Sequence, residues 1–233
     1  MKIFITGSSG FIGFHLSKKL LDKGHTVHGF DSMNNYYDVR LKKRRYQILK
    51  KYKKFLFTKG KLENRKILSK AILKSKPKII IHLAAQAGVR YSIEKPRVYL
   101  DSNITGTYNI IELAKKVNVK HLLIASSSSV YGANKKLPFK EIDKTETQLS
   151  IYAATKKSTE SIAHSYSNIW KIPITMLRFF TVYGPWGRPD MALFKFTKGI
   201  IEKKKIDIYN QGKMYRDFTY IDDIVGGISA LIN

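Results

Sequence analysis

The stretch from Lys2 to Asp31 constrains the fold more than any other. Lys2-Ile3-Phe4-Ile5 is a short apolar run suited to a parallel strand buried on both faces, and it leads into Thr6-Gly7-Ser8-Ser9-Gly10-Phe11-Ile12-Gly13. From Phe11 to Lys23, apolar residues at Ile12, Leu16 and Leu20 mark one face of a helix, and Gly24 closes it. A second apolar strand, His25 to Phe30, ends at Asp31. Strand, glycine turn, helix, strand and carboxylate, in that order, are the layout of a dinucleotide site. The glycines let backbone approach a pyrophosphate, the helix N-terminus offers free N–H groups, and the carboxylate takes ribose hydroxyls. The spacing of Gly7, Gly10 and Gly13 departs from G-x-G-x-x-G, so the string alone also reads as an ordinary turn before a helix. The flanking strands and Asp31 favour the nucleotide.

A chain of 233 residues, 43% of them hydrophobic, can bury a real core as one domain or a domain with a small appendage. No apolar run is long enough to cross a membrane, and Ile3-Phe4-Ile5 is too short for a signal-peptide core. With no Cys there are no disulfides and no thiolate chemistry, and a cytoplasmic enzyme is the expectation. The net charge of +26 is the odd feature: between Arg40 and Lys78, seventeen basic residues face a single acid, Glu63. Lys outnumbers Arg, whereas nucleic-acid recognition leans on Arg forks and exposed aromatics. The charge therefore predicts weak, salt-sensitive polyanion binding and no specific nucleic-acid partner.

Further along, Val39 to Tyr52 reads as a basic helix with Leu41, Tyr46 and Leu49 inward. Phe55-Leu56-Phe57 is a third strand, Glu63 to Leu73 a helix stopped before Pro77, and Lys78 to Leu83 a fourth strand. A loop from Ala84 to Lys95 follows at that strand's C-terminal end. Asp101 to Val117 is a long helix, His121 to Ala125 a fifth strand, Ser150 to Trp170 a helix and Pro173 to Arg178 a sixth strand. Beyond Thr181 the pattern loosens into a Gly/Pro loop, a helix near Leu193 to Lys203, a strand near Ile206 and a last helix from Asp222, still apolar at Ile228, Leu231 and Ile232. Strands alternating with helices at these intervals predict an α/β fold, a doubly wound parallel sheet. Trp170, Phe179 and Phe180 are expected in the core, and the six His residues show no metal-ligand spacing.

Tyr152-Ala153-Ala154-Thr155-Lys156 puts a phenol and an ammonium four residues apart on one helix face. A cation beside a tyrosine favours phenolate and lowers its pKa from near 10, which suits a general base. Any helix can carry that pair. Ser126-Ser127-Ser128-Ser129, however, lies at the mouth of a parallel strand, on the sheet edge that carries the glycine turn, where a hydroxyl can bond both a tyrosine oxygen and a substrate hydroxyl.

These segments resemble the extended short-chain dehydrogenase/reductases, and among them the NAD-dependent nucleotide-sugar 4-epimerases that act on UDP-glucuronate. The resemblance rests on Thr6-Gly7 to Gly13, Asn35-Tyr36-Tyr37-Asp38-Val39-Arg40, His82 to Arg90, Ala125 to Gly132, Tyr152 to Lys156, Arg178 to Phe196 and Gly212 to Ile224, and spans essentially the whole chain. It implies a Rossmann-like fold, a tightly held NAD, and a UDP-sugar, most simply UDP-glucuronate going to UDP-galacturonate by transient oxidation at C4. Tyr152 would take the proton of the sugar 4-hydroxyl, Lys156 would bond the nicotinamide ribose, and Ser127 would align the hydroxyl. Gly7, Gly10, Phe11, Ile12, Gly13, Asp31, Ala84 and Lys156 would hold the cofactor, with Asp31 selecting NAD over NADP. Ser128, Thr181, Arg188, Arg216 and Arg90 would hold the substrate, and no metal is implied. Asn103 and Thr107 match positions the family uses for structural hydrogen bonds. Sugar dehydratases carry an Asp-Glu pair in the strand-end segment, and UDP-glucuronate decarboxylases a Glu just before Val-Tyr-Gly. Ser128 and Ser129 stand there in this chain and disfavour both.

Two features depart from the family pattern. A Gly-Asp pair after the third strand, whose carboxylate bonds adenine, is here Gly60-Lys61, and lysine has only donors. Relatives also continue into a C-terminal lobe over the nucleotide. This predicts an NAD-binding domain over 1–180, the start of a substrate region over 181–233 that returns to the sheet domain, and most of the substrate lobe missing. The alternative of another class is a truncated, inactive NAD-binding remnant. Relatives often dimerise through a helix pair, here the Asp101 and Ser150 helices, which makes a homodimer an expectation.

Overall fold

The computed structural model describes residues 1–232, the side chain of Tyr209 excepted. The sequence-predicted region 181–233 thus ends on Asn233, outside the described residues. Six strands form one parallel sheet: β1 (Lys2–Thr6), β2 (Thr26–Asp31), β3 (Phe55–Lys59), β4 (Ile79–His82), β5 (His121–Ala125) and β6 (Ile174–Leu177). Their order is β3-β2-β1-β4-β5-β6, so the chain winds outward from β1 on one side, then outward from β4 on the other. Ile3 is paired with Val27 on one side and Ile79 on the other. The crevice between the C-terminal ends of β1 and β4 is the topological switch point where such sheets receive ligands.

Alternation along β1 sends Ile3 and Ile5 to one face and Phe4 to the other. The first face packs on helix α1 (Phe11–Asp22) through Leu16 and Leu20. Helix α2 (Val39–Lys50) flanks it. The second face is covered by α3 (Arg65–Ser75) and, after the short helices α4 (Tyr91–Glu94) and α5 (Pro96–Tyr99), by α6 (Gly106–Lys116) and α7 (Ile151–Trp170). Beyond β6 come β7 (Thr181–Tyr183), α8 (Ala192–Ile201), β8 (Phe218–Tyr220) and α9 (Ile221–Ala230). α9 returns to α1 through Ile221, Val225 and Ile228.

Local chemistry sets the ends. The Asp38 carboxylate accepts from Arg40 N–H at the start of α2, Asn64 Oδ1 from Ile67 N–H at α3, and Ser150 Oγ from Ala153 N–H at α7. α1 closes on Gly24 at φ 81°, with its N–H on Leu21 O and the N–H of His25 on Leu20 O.

The structure departs from the sequence-based expectations in four places. The long helix expected from Asp101 starts instead inside a π-helical turn, Leu100–Thr105, before α6. No strand forms near Ile206, whose side chain packs beside Gly199 of α8. The small second sheet joins β7 and β8 in parallel. Trp170 is exposed, its ring tilted against that of Tyr166 and beneath the Lys115 ammonium, while Phe179 and Phe180 are only half-buried. On α2, Leu49 is buried and Leu41 and Tyr46 only partly so. The residues that join Leu49 inside are two cations, Lys42 and Arg45.

Candidate active site

β1 ends in the glycine turn. Gly10 precedes α1, which has no side-chain cap and no acidic residue in its first turn, so its leading N–H groups and positive dipole end are offered to an anion. A Cβ on Gly13 would lie 2.1 Å from Gly7 O, and one on Gly7, at φ 73°, would lie 2.9 Å from Ala84 N. Only bare glycine lets the turn fold this tightly under the β4 loop. The hydroxyls of Ser8 and Ser9 are buried in the turn and lack a hydrogen-bond partner among the described residues.

At the end of β2, Asp31 is buried and accepts N–H bonds from Ser9 (Oδ2, 3.0 Å) and Met33 (Oδ1, 2.8 Å). Each oxygen keeps a lone-pair direction for a ribose hydroxyl. Burial raises its pKa, and the Met33 N–H, Lys42, the Ser9 N–H and Arg45 draw it back. These groups fit an adenosine diphosphate moiety. Lys61 stays exposed, near Glu63.

β4 ends in His82, which is bonded to the hydroxyls of Thr6 (2.7 Å) and Thr107 (3.0 Å), while Thr6 Oγ1 also accepts from Ala84 N–H. Burial holds His82 down to about 3, so it is neutral. Asn103, in the π-helical turn, bridges both backbone groups of Gln86 and the Thr155 hydroxyl. Thr107 and Asn103 thus fix the ends of β4 and α7, the structural task expected of them.

At the mouth of β5, Ser127 Oγ accepts from Ser129 N–H and starts a 3₁₀ turn over Ser128–Tyr131, while Ser128 N–H is tied to Phe179 O. Across from it on α7, Tyr152 lies with its ring edge toward Tyr99. Burial raises the Tyr152 pKa, and the Ser127 hydroxyl and then the Arg188 charge pull it back. The Lys156 ammonium, expected from the sequence to lower it, is not among these groups. The ammonium of Lys156 turns to Ala125 O at 2.9 Å, and burial holds it down to about 8 against the pull of Glu160.

Of the sequence-predicted substrate residues, Arg188 is within electrostatic reach of Tyr152. It grips Asp190, whose other contact is the Tyr36 hydroxyl at 3.2 Å. Thr181 lies in β7, its N–H on Asp217 O. Arg90 is exposed at the start of α4, and Arg216 is exposed on the segment before β8 with no bond joining it to the others. Four site residues escaped the sequence reading. Arg45 and Lys42 bind the walls of the nucleotide side. On the other side, Glu160 accepts from Ser126 Oγ (2.6 Å) and takes a two-pronged bond from Arg178. The signal was spacing: Lys42 and Arg45 share the stripe of Leu49, and Glu160 continues the face of Tyr152 and Lys156.

Among the described residues no cluster of His, Asp and Glu could hold a metal, and no helix is long and apolar enough to cross a membrane. Residues 3–233 match the model of the NAD dependent epimerase/dehydratase family. The chain is 56% identical over 231 residues to a probable UDP-glucuronate 4-epimerase of Rhizobium meliloti, covering 99% of this chain and 68% of that protein. It is 58% identical to Protein CapI of Staphylococcus aureus, covering 100% and 69%. The crystal structure of UDP-glucuronic acid 4-epimerase from Bacillus cereus, with UDP-glucuronic acid and NAD, superposes with a TM-score of 0.94 at 37% identity, covering 100% of this chain and 73% of that one. A parallel sheet with a bare glycine turn at one strand mouth and Ser127, Tyr152 and Lys156 at another is thus accompanied by likeness along the whole length, and the chain belongs to the NAD dependent epimerase/dehydratase family.

Proposed function

We propose that this chain performs NAD-dependent 4-epimerisation of UDP-glucuronate to UDP-galacturonate. The observation that carries the reading is the placement of Tyr152, Ser127 and Lys156 at the mouth of β5, on the sheet edge where the glycine turn leaves β1. The Rhizobium and Bacillus relatives supply the sugar.

NAD, when bound, supplies hydride acceptance and return at C4. Gly7, Gly10, Phe11, Ile12 and Gly13 would receive its pyrophosphate, Asp31 the adenosine ribose, Ala84 the crevice wall and Lys156 the nicotinamide ribose. Asp31 sets NAD above NADP, because a 2′-phosphate would meet a carboxylate. Tyr152 is the proton acceptor for the 4-hydroxyl, and Ser127 orients that hydroxyl and stabilises the phenolate as it forms. Ser128 and Thr181 are assigned the sugar carboxylate, since hydroxyls bond an anion without repelling it. Arg188, Arg216 and Arg90 are assigned to the substrate's charged groups, guanidinium forks being suited to phosphate. In this reading residues 1–180 hold the nucleotide cofactor, 181–233 begin the substrate region, and the protein pairs as a homodimer through α6 and α7.

The test is incubation of the purified chain with NAD and UDP-glucuronate, with the products separated by chromatography. UDP-galacturonate is expected, and Tyr152→Phe is expected to abolish it while NAD affinity stays within about threefold, since the phenol acts on the proton rather than the cofactor. A UDP-pentose as main product, or no conversion, overturns the reading.

A further inference from the structure

Arg45 is an anomaly on its own helix: α2 is a basic, largely exposed element, yet this guanidinium is fully buried. A buried arginine is costly unless its donors are used, and here both terminal nitrogens are spent on three separate segments, while Nε has no partner among the described residues. Nη1 donates to Ser9 O at 3.1 Å, inside the glycine turn, and to the Tyr37 hydroxyl at 2.9 Å, in the segment before α2. Nη2 donates to the carbonyls of Trp186 and Gly187, immediately before Arg188.

Other contacts dock the same loop. His15 Nε2 bonds Pro185 O at 2.9 Å, and the Trp186 ring lies 5.9 Å from that of Phe14, both on α1. Beyond Gly187 the chain reaches Arg188, held on Asp190, which also accepts from Tyr36, the neighbour of Tyr37. One guanidinium therefore sits between the turn that would receive the dinucleotide and the loop that presents Arg188 toward Tyr152. A lysine ammonium has the charge but not the planar fork that serves both at once.

We propose that Arg45 is a positioning residue that couples the glycine turn to the Arg188 loop, so that sugar-nucleotide binding depends on it although it presents no surface to a ligand. The inference rests on the epimerase reading, in which Arg188 contacts the sugar nucleotide. Its specific consequence is that Arg188 can do its work only while Arg45 holds residues 186 and 187.

The experiment is a double-mutant cycle on the full chain with NAD present, read by titration calorimetry with UDP-glucuronate, with NAD affinity and the unfolding midpoint measured alongside. Arg188→Lys is expected to weaken UDP-glucuronate roughly tenfold in the wild-type background, but less than about twofold in an Arg45→Lys background. Arg45→Lys alone is expected to weaken UDP-glucuronate by about the same tenfold. A merely structural arginine would lower the unfolding midpoint and leave the Arg188 effect intact, so additive losses overturn the inference. If Arg45→Lys does not fold cooperatively, Tyr37→Phe removes one partner and leaves the guanidinium buried. The same non-additivity is then expected at smaller size, and additivity there overturns the inference equally. A wild-type chain that binds NAD but no UDP-glucuronate overturns the epimerase reading and this inference together. Binding with an additive cycle overturns the inference alone.

Discussion

Among the single residues, Lys156 carries the clearest electrostatic debt. Its ammonium has Ala125 O at 2.9 Å and Glu160 one turn further along α7, yet burial still holds its pKa down to about 8 from 10.5. Between these two values the folded chain binds fewer protons than the unfolded one, so folding is favoured as pH rises through that window and disfavoured below it. The contribution has a slope of about 1.4 kcal/mol per pH unit at most. In urea unfolding at pH 7.5 and pH 10, wild type is therefore expected to gain stability relative to Lys156→Met, the other lysines and tyrosines cancelling in the difference. An unchanged difference would show that the ammonium is not desolvated as described. Ser127 and Arg188, and not this ammonium, are the groups that draw the Tyr152 phenol back down in this structure.

At the scale of elements, the glycine turn and α1 form one unit whose geometry leaves room for nothing larger than hydrogen at Gly13. A Cβ there would meet Gly7 O at 2.1 Å, and this neighbour is backbone that cannot rotate away. Gly13→Ala is expected to cost about 2 kcal/mol or more in unfolding free energy and to weaken NAD at least about tenfold. Gly227→Ala, in α9 where a Cβ meets nothing within 4 Å, is expected to be neutral or to stabilise by about 0.5–1 kcal/mol. Calorimetry of NAD binding and chemical denaturation of the two variants check the contrast. These elements were legible in the sequence because period and punctuation coincide: Ile12, Leu16 and Leu20 at helical spacing, Gly24 at the stop, Ile79-Ile80-Ile81 in a strand bounded by Pro77. On α2 the spacing of Lys42, Arg45 and Leu49 marked one stripe, but that its two cations turn inward was not legible. Lys42 and Arg45 are drawn inward by Asn34, Ser9 and the 186–187 carbonyls, partners that only the tertiary fold supplies. The π-helical turn has the same origin, since Asn103 satisfies both Gln86 backbone groups and Thr155, an arrangement with no local sequence signal. Trp170 misled for a related reason. An aromatic at the end of a long helix reads as core, but Lys115 and Tyr166 provide a surface seat for its ring.

The whole molecule combines two surface properties that ordinarily oppose each other. A net charge of +26 repels like-charged surfaces at long range and draws polyanions, while α8 carries apolar side chains that the described fold leaves largely exposed. None of its residues is buried, and Ile200 and Ile201 are 69% and 75% exposed, beside the partly exposed Leu193, Phe194 and Phe196. Isolated exposed apolar residues are ordinary, but a run of five on one short helix makes a contiguous patch of the kind that binds amphiphilic probes. The folded chain is expected to enhance the fluorescence of anilinonaphthalene sulfonate, an anionic apolar dye suited to both the charge and the patch. Two effects are separable. Added salt screens the attraction of the sulfonate over roughly 8 Å at physiological ionic strength but leaves the apolar contact in place. Ile200→Lys with Ile201→Lys removes the apolar contact while raising the positive charge further. The double variant is therefore expected to lose most of the dye signal in 0.5 M salt with its unfolding free energy within about 0.5 kcal/mol of wild type, because the replaced side chains contribute little to the core. If the signal survives the double substitution, the dye is bound by charge or by another surface, and α8 is not the apolar feature that the fold leaves open.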